Sequence, residues 1–168
     1  MTKFGFIGPT ARHDVPGGGF CISVFAVIRK GESVLLVRPK AHEKWQEEWA
    51  PNWRVYEPEM LEREMRAWRL PSAYVKEGEA PEGALSRVMR EQLGISRYKV
   101  AASSLENFYD PSRRFPGQMH WDYCFVFEVS TEEDVKKQPW LDAAEYVAAR
   151  GAEFGSAQED LAKRVGLL

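Results

Sequence analysis

"LPSAYVKEGEAPEGALSRVMREQLGI", residues 70–95, governs how the rest of the chain is read, because strand, loop and helix signals meet in it. The short apolar run broken by Pro71 predicts a strand from about Ala73. Pro81 suits the first turn of a helix, Leu85, Met89 and Leu93 repeat every four residues as an apolar stripe, and Gly94 stands where a helix stops. Val88, Glu91 and Gln92 are related by three- and four-residue steps, which predicts that they share a helical face. That face would carry one carboxylate, one amide and one apolar group.

Upstream, "VPGGGF" is a flexible break. "FCISVFAVIRKGESVLLVRP" reads as two β-rich runs joined by the turn Lys30-Gly31-Glu32-Ser33, a hairpin. From Lys40 to Tyr56 the chain mixes charges with Trp45, Trp49, Trp53 and Pro51, which predicts a long surface segment. "EPEMLEREMRAW" predicts a helix with Leu61, Met65 and Trp68 on one face. Downstream, "RYKVAASSLENFYD" and "MHWDYCFVFEVS" read as strands flanking the loop "PSRRFPGQ", and "AQEDLAKRVGLL" as a closing helix. There is no internal repeat and no low-complexity tract.

The 168 residues supply one substantial core and are too few for two domains, so a single domain over 1–168 is expected. Lys and Arg total 23 against 25 Asp and Glu, a balance that advertises neither nucleic acid nor a membrane surface. The expected partner is a small molecule or another protein. Hydrophobic residues at 44%, with six Trp, exclude a largely disordered chain. The N-terminal residues lack a basic end followed by a long apolar run, which predicts a soluble, cytoplasmic protein. Cys21 and Cys124 each sit in an apolar segment and read as reduced core thiols rather than a disulfide framework or a zinc site.

Residues 70–95 resemble the Nudix box, G-x5-E-x7-R-E-U-x-E-E-x-G-U with U apolar. The frame matches without a gap: Glu79 falls on the first glutamate, Arg87 on the arginine, Met89 on the apolar position, Glu91 on the first of the paired glutamates, and Gly94-Ile95 on the ending. Ala73, Val88 and Gln92 depart from it, and Lys76 stands where an acidic residue is frequent. The box is thus degenerate. The resemblance covers roughly residues 20–165 and implies an α/β fold, an α/β/α sandwich with a mixed sheet. Residues 1–19 then form an N-terminal extension and 40–69 an insertion before the box.

The resemblance also implies an activity: hydrolysis of the diphosphate linkage of a nucleoside diphosphate derivative, using Mg2+ or Mn2+. Magnesium prefers oxygen ligands and is often held by one or two carboxylates plus the substrate's phosphates, so Glu91 is the expected metal ligand. Glu79 and Arg87 resemble the pair that braces loop against helix. Val88 can neither bind metal nor accept a proton, and the neutral Gln92 is a poorer ligand. An alternative base is sought in Glu77, Glu106 and Asp122, with His120 as proton carrier. His120 and Asp122 alternate onto one face of their strand. Lys76, Arg113 and Arg114 are expected to meet phosphate, the arginines beside Tyr109 and Phe115; the three tryptophans would offer an aromatic wall. The rival reading is a binding or regulatory protein of the same fold that recognises a nucleotide-like ligand without cleaving it. A third is a homodimer built on the tryptophan-rich segment and the helix from about Glu57 to Trp68.

Overall fold

The computed structural model describes residues 16–112, 115–155 and 158–168. Most of the expected N-terminal extension, and both Arg113 and Arg114, therefore lie outside the described residues.

β1 (Phe20–Lys30) and β2 (Ser33–Pro39) form the predicted hairpin, but they pair only next to the turn, at Arg29 with Val34 and Lys30 with Ser33. Beyond it the arms part, and residues 69–74 enter between them. Arg69 exchanges backbone hydrogen bonds with Val37 at 2.8 and 2.9 Å, the Ala26 N–H donates to the Pro71 carbonyl at 2.9 Å, and β3 (Ser72–Tyr74) pairs antiparallel with Ser23–Phe25. Pro71 fits because only its carbonyl is needed there. β4 (Lys99–Pro111) and β5 (Met119–Ser130) form the second predicted antiparallel pair, and β5 runs parallel to β1 from Phe20–Trp121 to Ile28–Val129. The result is a six-stranded mixed sheet, ordered β4-β5-β1-β2-β6 with β3 on β1.

β6 (Leu141–Ala148) was not anticipated. "LDAAEYVA" is rich in residues that favour helix, and pairing with β2 from Ser33–Ala148 to Arg38–Ala143 overrides that preference.

Strand alternation divides the core into two layers. Val24, Ala26, Ile28 and Phe127 pack towards α2 (Pro81–Arg87), while Phe25, Val27, Leu36 and Val126 pack towards α3 (Gln158–Arg164). The architecture is the expected α/β/α sandwich. After Arg87 the box helix widens into a π turn, Val88–Gln92, in which the Leu93 N–H donates to the Val88 carbonyl at 3.1 Å. On a regular α-helix a four-residue stripe drifts by about 40° per step. The wider turn takes that rotation back, so Leu85, Met89 and Leu93 all stay at or below 1% exposure.

Two expectations are corrected. The segment 40–56 is not a surface loop: Trp45–Trp49 forms a π-helical turn and Pro51–Val55 a 3-10 turn, and Trp45, Trp49 and Trp53 are each 3% exposed. Their four-residue spacing is a helical signal, and they cluster at ring separations of 5.6 and 6.0 Å, with Trp140 at 5.2 Å from Trp49. They are core, and provide neither an aromatic wall for substrate nor a dimer surface. The second correction concerns α1 (Pro58–Arg66), whose Leu61 and Met65 are only partly buried; its buried residue is Glu64, at 0% exposure. Glu64 meets Arg69 at 2.7 Å, and the Arg69 guanidinium lies 4.8 Å from the Trp53 ring centre. A Cβ on Gly155 would come within 2.8 Å of the Glu64 carboxylate and 2.9 Å of Arg69, so any side chain there would push the pair aside. Trp68 lies beyond the helix and bridges to Phe154.

Both cysteines are free, with Cys124 buried and Cys21 half-buried. No helix among the described residues is long and apolar enough to cross a membrane.

Candidate active site

The loop between β3 and α2 turns at Gly78, whose φ of +74° is in the left-handed region. Glu79 and Arg87 then fasten this loop to the helix. Arg87 Nε donates to Glu79 Oε1 at 2.7 Å, Arg87 Nη2 donates to Glu79 Oε2 at 2.8 Å and to the Tyr74 carbonyl at 2.7 Å, and the Lys76 N–H donates to Glu79 Oε2 at 2.9 Å. A two-pronged guanidinium–carboxylate pair is the strong form of such a contact. The side chains are shielded, at 12% exposure for Arg87 and 18% for Glu79. The Arg87 hydrogen bonds hold the Glu79 carboxyl below the usual carboxylate range, and Glu79 in turn raises Arg87. The expected brace is in place geometrically.

Beside it, Lys76 Nζ meets Glu48 Oε2 at 2.6 Å, and that bond lowers the Glu48 carboxyl. Glu48 is a residue that reading the sequence missed; it comes from the tryptophan-rich turn. The charges of Glu48 and, more weakly, Glu91 also favour the charged form of Arg87. Glu91 is exposed to solvent.

The face expected to unite Val88, Glu91 and Gln92 is divided. Val88 and Gln92 are both at 0% exposure, whereas Glu91 is exposed. Val88 packs in the α2-side core. Gln92 Nε2 donates to the Ser72 carbonyl at 3.0 Å and Oε1 accepts from the Ser72 N–H at 3.3 Å, so its amide pairs with the backbone of β3 as another strand would. Trp140 Nε1 donates to the Gln92 carbonyl at 3.2 Å. The widened turn rotates the face, and β3 supplies a buried edge that an amide satisfies at both atoms and a carboxylate would not.

The other predicted residues fall into separate places. Glu77 is exposed and lines a cleft of ≈ 470 Å³ between the end of β1 and the loop, together with Cys21, Tyr74, Lys76 and Glu79. His120 and Asp122 do point together, with Nε2 and Oδ1 3.2 Å apart, on the α3 side of the sheet with Cys124 and Val126. Glu106 pairs across the strands with Cys124 and faces Arg164 of α3 at 3.7 Å. Neither Asp122 nor Glu106 shares the sheet face covered by the box helix.

A divalent ion would find a reduced donor set. Among the described candidates at this loop and helix, Glu79 is engaged by Arg87, Glu48 by Lys76, and both Gln92 amide atoms by Ser72, which leaves the exposed carboxylates of Glu91 and, on the cleft, Glu77. That set fits an ion held by one or two protein carboxylates and the phosphates it arrives with, and does not fit a three-carboxylate site.

No protein-family model and no curated protein matches the sequence. Solved structures do match. A MutT protein from Methanosarcina mazei Go1 superposes with a TM-score of 0.59 at 18% identity, covering 88% of this chain and 93% of that one. A MutT NUDIX hydrolase from Burkholderia pseudomallei matches with a TM-score of 0.54 at 18% identity, over 87% and 98% of the two chains. The NUDIX domain of Shewanella oneidensis NrtR, complexed with ADP ribose, matches with a TM-score of 0.56 at 13% identity, over 88% and 87%. A UDP-X diphosphatase matches with a TM-score of 0.56 at 16% identity over 88% of this chain, which spans 60% of that longer one. At these identities the likeness is one of architecture, and with the mixed sheet between two helical layers and a gapless box frame it leads to one conclusion: this chain has the Nudix fold.

Proposed function

We propose that the chain hydrolyses the diphosphate linkage of a nucleoside diphosphate derivative with the help of Mg2+ or Mn2+. The observation that carries this reading is the Glu79–Arg87 brace, which immobilises the loop and leaves Glu91 as an exposed carboxylate within electrostatic reach of it. Glu91 would hold the ion, which supplies charge neutralisation to the substrate's phosphates. Glu77 is our choice for the base that orients water, because it is exposed on the cleft while Asp122 is engaged by Cys21 and His120, and Glu106 faces Arg164. Lys76 meets phosphate if it releases Glu48; Arg113 and Arg114, which lie outside the described residues, are proposed as phosphate contacts on their chemistry alone, with the exposed Tyr109 and Phe115 near them in sequence as stacking surfaces. The compartment is the cytoplasm, where two free thiols stay reduced.

The burial of Val88 and Gln92 favours a second reading, in which a nucleotide-like ligand is bound and not cleaved. Phosphate release from nucleoside triphosphates, sugar nucleotides, ADP-ribose and dinucleoside polyphosphates, with Mg2+ or Mn2+, separates the two. Hydrolysis predicts release that Glu91→Gln abolishes and Glu77→Gln slows by about 10²–10⁴ in kcat. Silence across the panel, with a thermal shift on adding one of its members, would replace the first reading by the second.

A further inference from the structure

On the sheet face away from the box helix, Cys21, His120 and Asp122 bring a thiol, an imidazole and a carboxylate together, with ligating atoms all within 4.8 Å of one another. The parallel register of β1 and β5 sets Cys21 opposite Asp122, and His120 lies two residues before Asp122 on the same face. The Cys21 thiol donates to Asp122 Oδ1 at 2.6 Å, and His120 Nε2 lies 3.2 Å from that same oxygen. His120 Nδ1 is 2.8 Å from the Gly18 carbonyl. A carbonyl only accepts, so Nδ1 carries a proton, and Nε2 is the ring atom that faces the carboxylate oxygen. Nε2, Asp122 Oδ1 and the Cys21 sulfur therefore converge on one point, where a shared cation would sit. A backbone acceptor on the far nitrogen is also what orients an imidazole as a metal ligand.

We propose that Cys21, His120 and Asp122 form a binding site for a divalent ion of the zinc class, open towards the cleft that Cys21 and Tyr74 line. Thiolate, imidazole and carboxylate are together a borderline-soft donor set that suits Zn2+ and not Mg2+, which takes oxygen. The two anionic ligands match the ion's charge, and the thiol proton leaves to solvent as the metal–sulfur bond forms. Bond lengths near 2.0–2.3 Å put tetrahedral ligands roughly 3.3–3.7 Å apart. The imidazole–carboxylate spacing is already close to that, and the Cys21–Asp122 contact needs to open by roughly 1 Å. The site is distinct from Glu91 and does not depend on the hydrolase reading.

Cobalt, a spectroscopic stand-in for zinc, tests it on the reduced, chelator-stripped full chain. The expected result is a single Co2+ per chain with a thiolate charge-transfer band and tetrahedral visible bands, displaced by Zn2+. Cys21→Ser removes the charge-transfer band; His120→Gln and Asp122→Asn weaken binding by roughly tenfold or more, since even partners behind the ligands are worth that much. Cys124→Ser leaves the spectrum unchanged. A wild-type chain without the thiolate band, or a band that survives Cys21→Ser or disappears in Cys124→Ser, overturns the proposal. X-ray absorption of the zinc-loaded wild type serves as an arm free of any folding defect in the variants: one sulfur in the shell is expected, and a shell of nitrogen and oxygen alone overturns it.

Discussion

At the loop end of residues 70–95, two opposite charges are withdrawn from water with their partners matched, Arg87 and Glu79 at 12% and 18% exposure and joined by two parallel hydrogen bonds. From the next residue onward, positions 88 and 92 of the same helix are withdrawn more completely, to 0%, and filled by an apolar side chain and a neutral amide. The same helix thus keeps a charged pair where a guanidinium can satisfy it and excludes charge where the neighbours are Leu85, Met89 and the backbone of β3. The two departures from the box pattern are therefore more than missing ligands. Val88 and Gln92 have become parts of the core, and restoring carboxylates there opposes the packing.

The comparison can be broken by experiment. The largest effect is expected for Val88→Glu, which places a carboxylate in an apolar core and should cost roughly 3–5 kcal/mol at neutral pH. The loss should shrink at about pH 5, where the carboxyl can enter the core protonated. Urea denaturation at the two pH values measures both; a near-neutral effect would mean that position 88 opens to water more readily than its packing implies. Arg87→Ala comes next. It leaves the shielded Glu79 with the Lys76 N–H as its hydrogen-bond partner in the brace, and should cost roughly 2–4 kcal/mol, below a fully buried pair because both groups keep some solvent contact.

A smaller and more specific effect is the acid limb. The Glu79 carboxyl is held below its ordinary value of 4.5, so the folded state binds its proton less readily than the unfolded chain does. The resulting stability is fully present above that ordinary value and is lost as pH falls through the folded one. Melting temperature recorded downward from about pH 6 should fall less steeply in Glu79→Gln than in the wild type; parallel curves would remove the brace as an electrostatic element. The smallest change is expected from Lys76→Ala, under about 1 kcal/mol in the same denaturation assay, because the lysine is 52% exposed. A Lys76→Ala loss equal to that of Arg87→Ala would erase the distinction between shielded and exposed ends of the loop.

Periodicity carried much of the architecture. The hairpin, the strand and helix of residues 70–95, and the pair β4 and β5 follow from alternation, helical stripes and turn residues, each of which acts within a few residues. The same alternation placed His120 and Asp122 on one side of their strand. Reading failed where a long-range partner outweighs a local preference. The segment with Trp45, Trp49 and Trp53 looked like surface because Pro51 and its charges obscured a four-residue repeat. β6 looked like nothing regular, because alanine favours helix until β2 offers its edge. Nothing local in the sequence marks Glu64 for burial; Arg69 and the bare backbone of Gly155, brought alongside by the fold, receive it.

The candidate sites divide in the same way. Glu79, Arg87 and Glu91 were picked out by the resemblance to the Nudix box, whose offsets lie within one loop and helix; the structure brings Glu79 and Arg87 together, and the role of Glu91 is a proposal. Glu48 at the brace and Cys21 against Asp122 were not legible, since Cys21 and Asp122 are 101 residues apart and meet through the parallel pairing of β1 with β5. Local pattern was enough to say which groups ride on which element. Which of them end in the core, in a cleft or against one another followed from the register of the sheet and the widened turn at Val88–Gln92, because burial and contact depend on what the rest of the chain brings alongside.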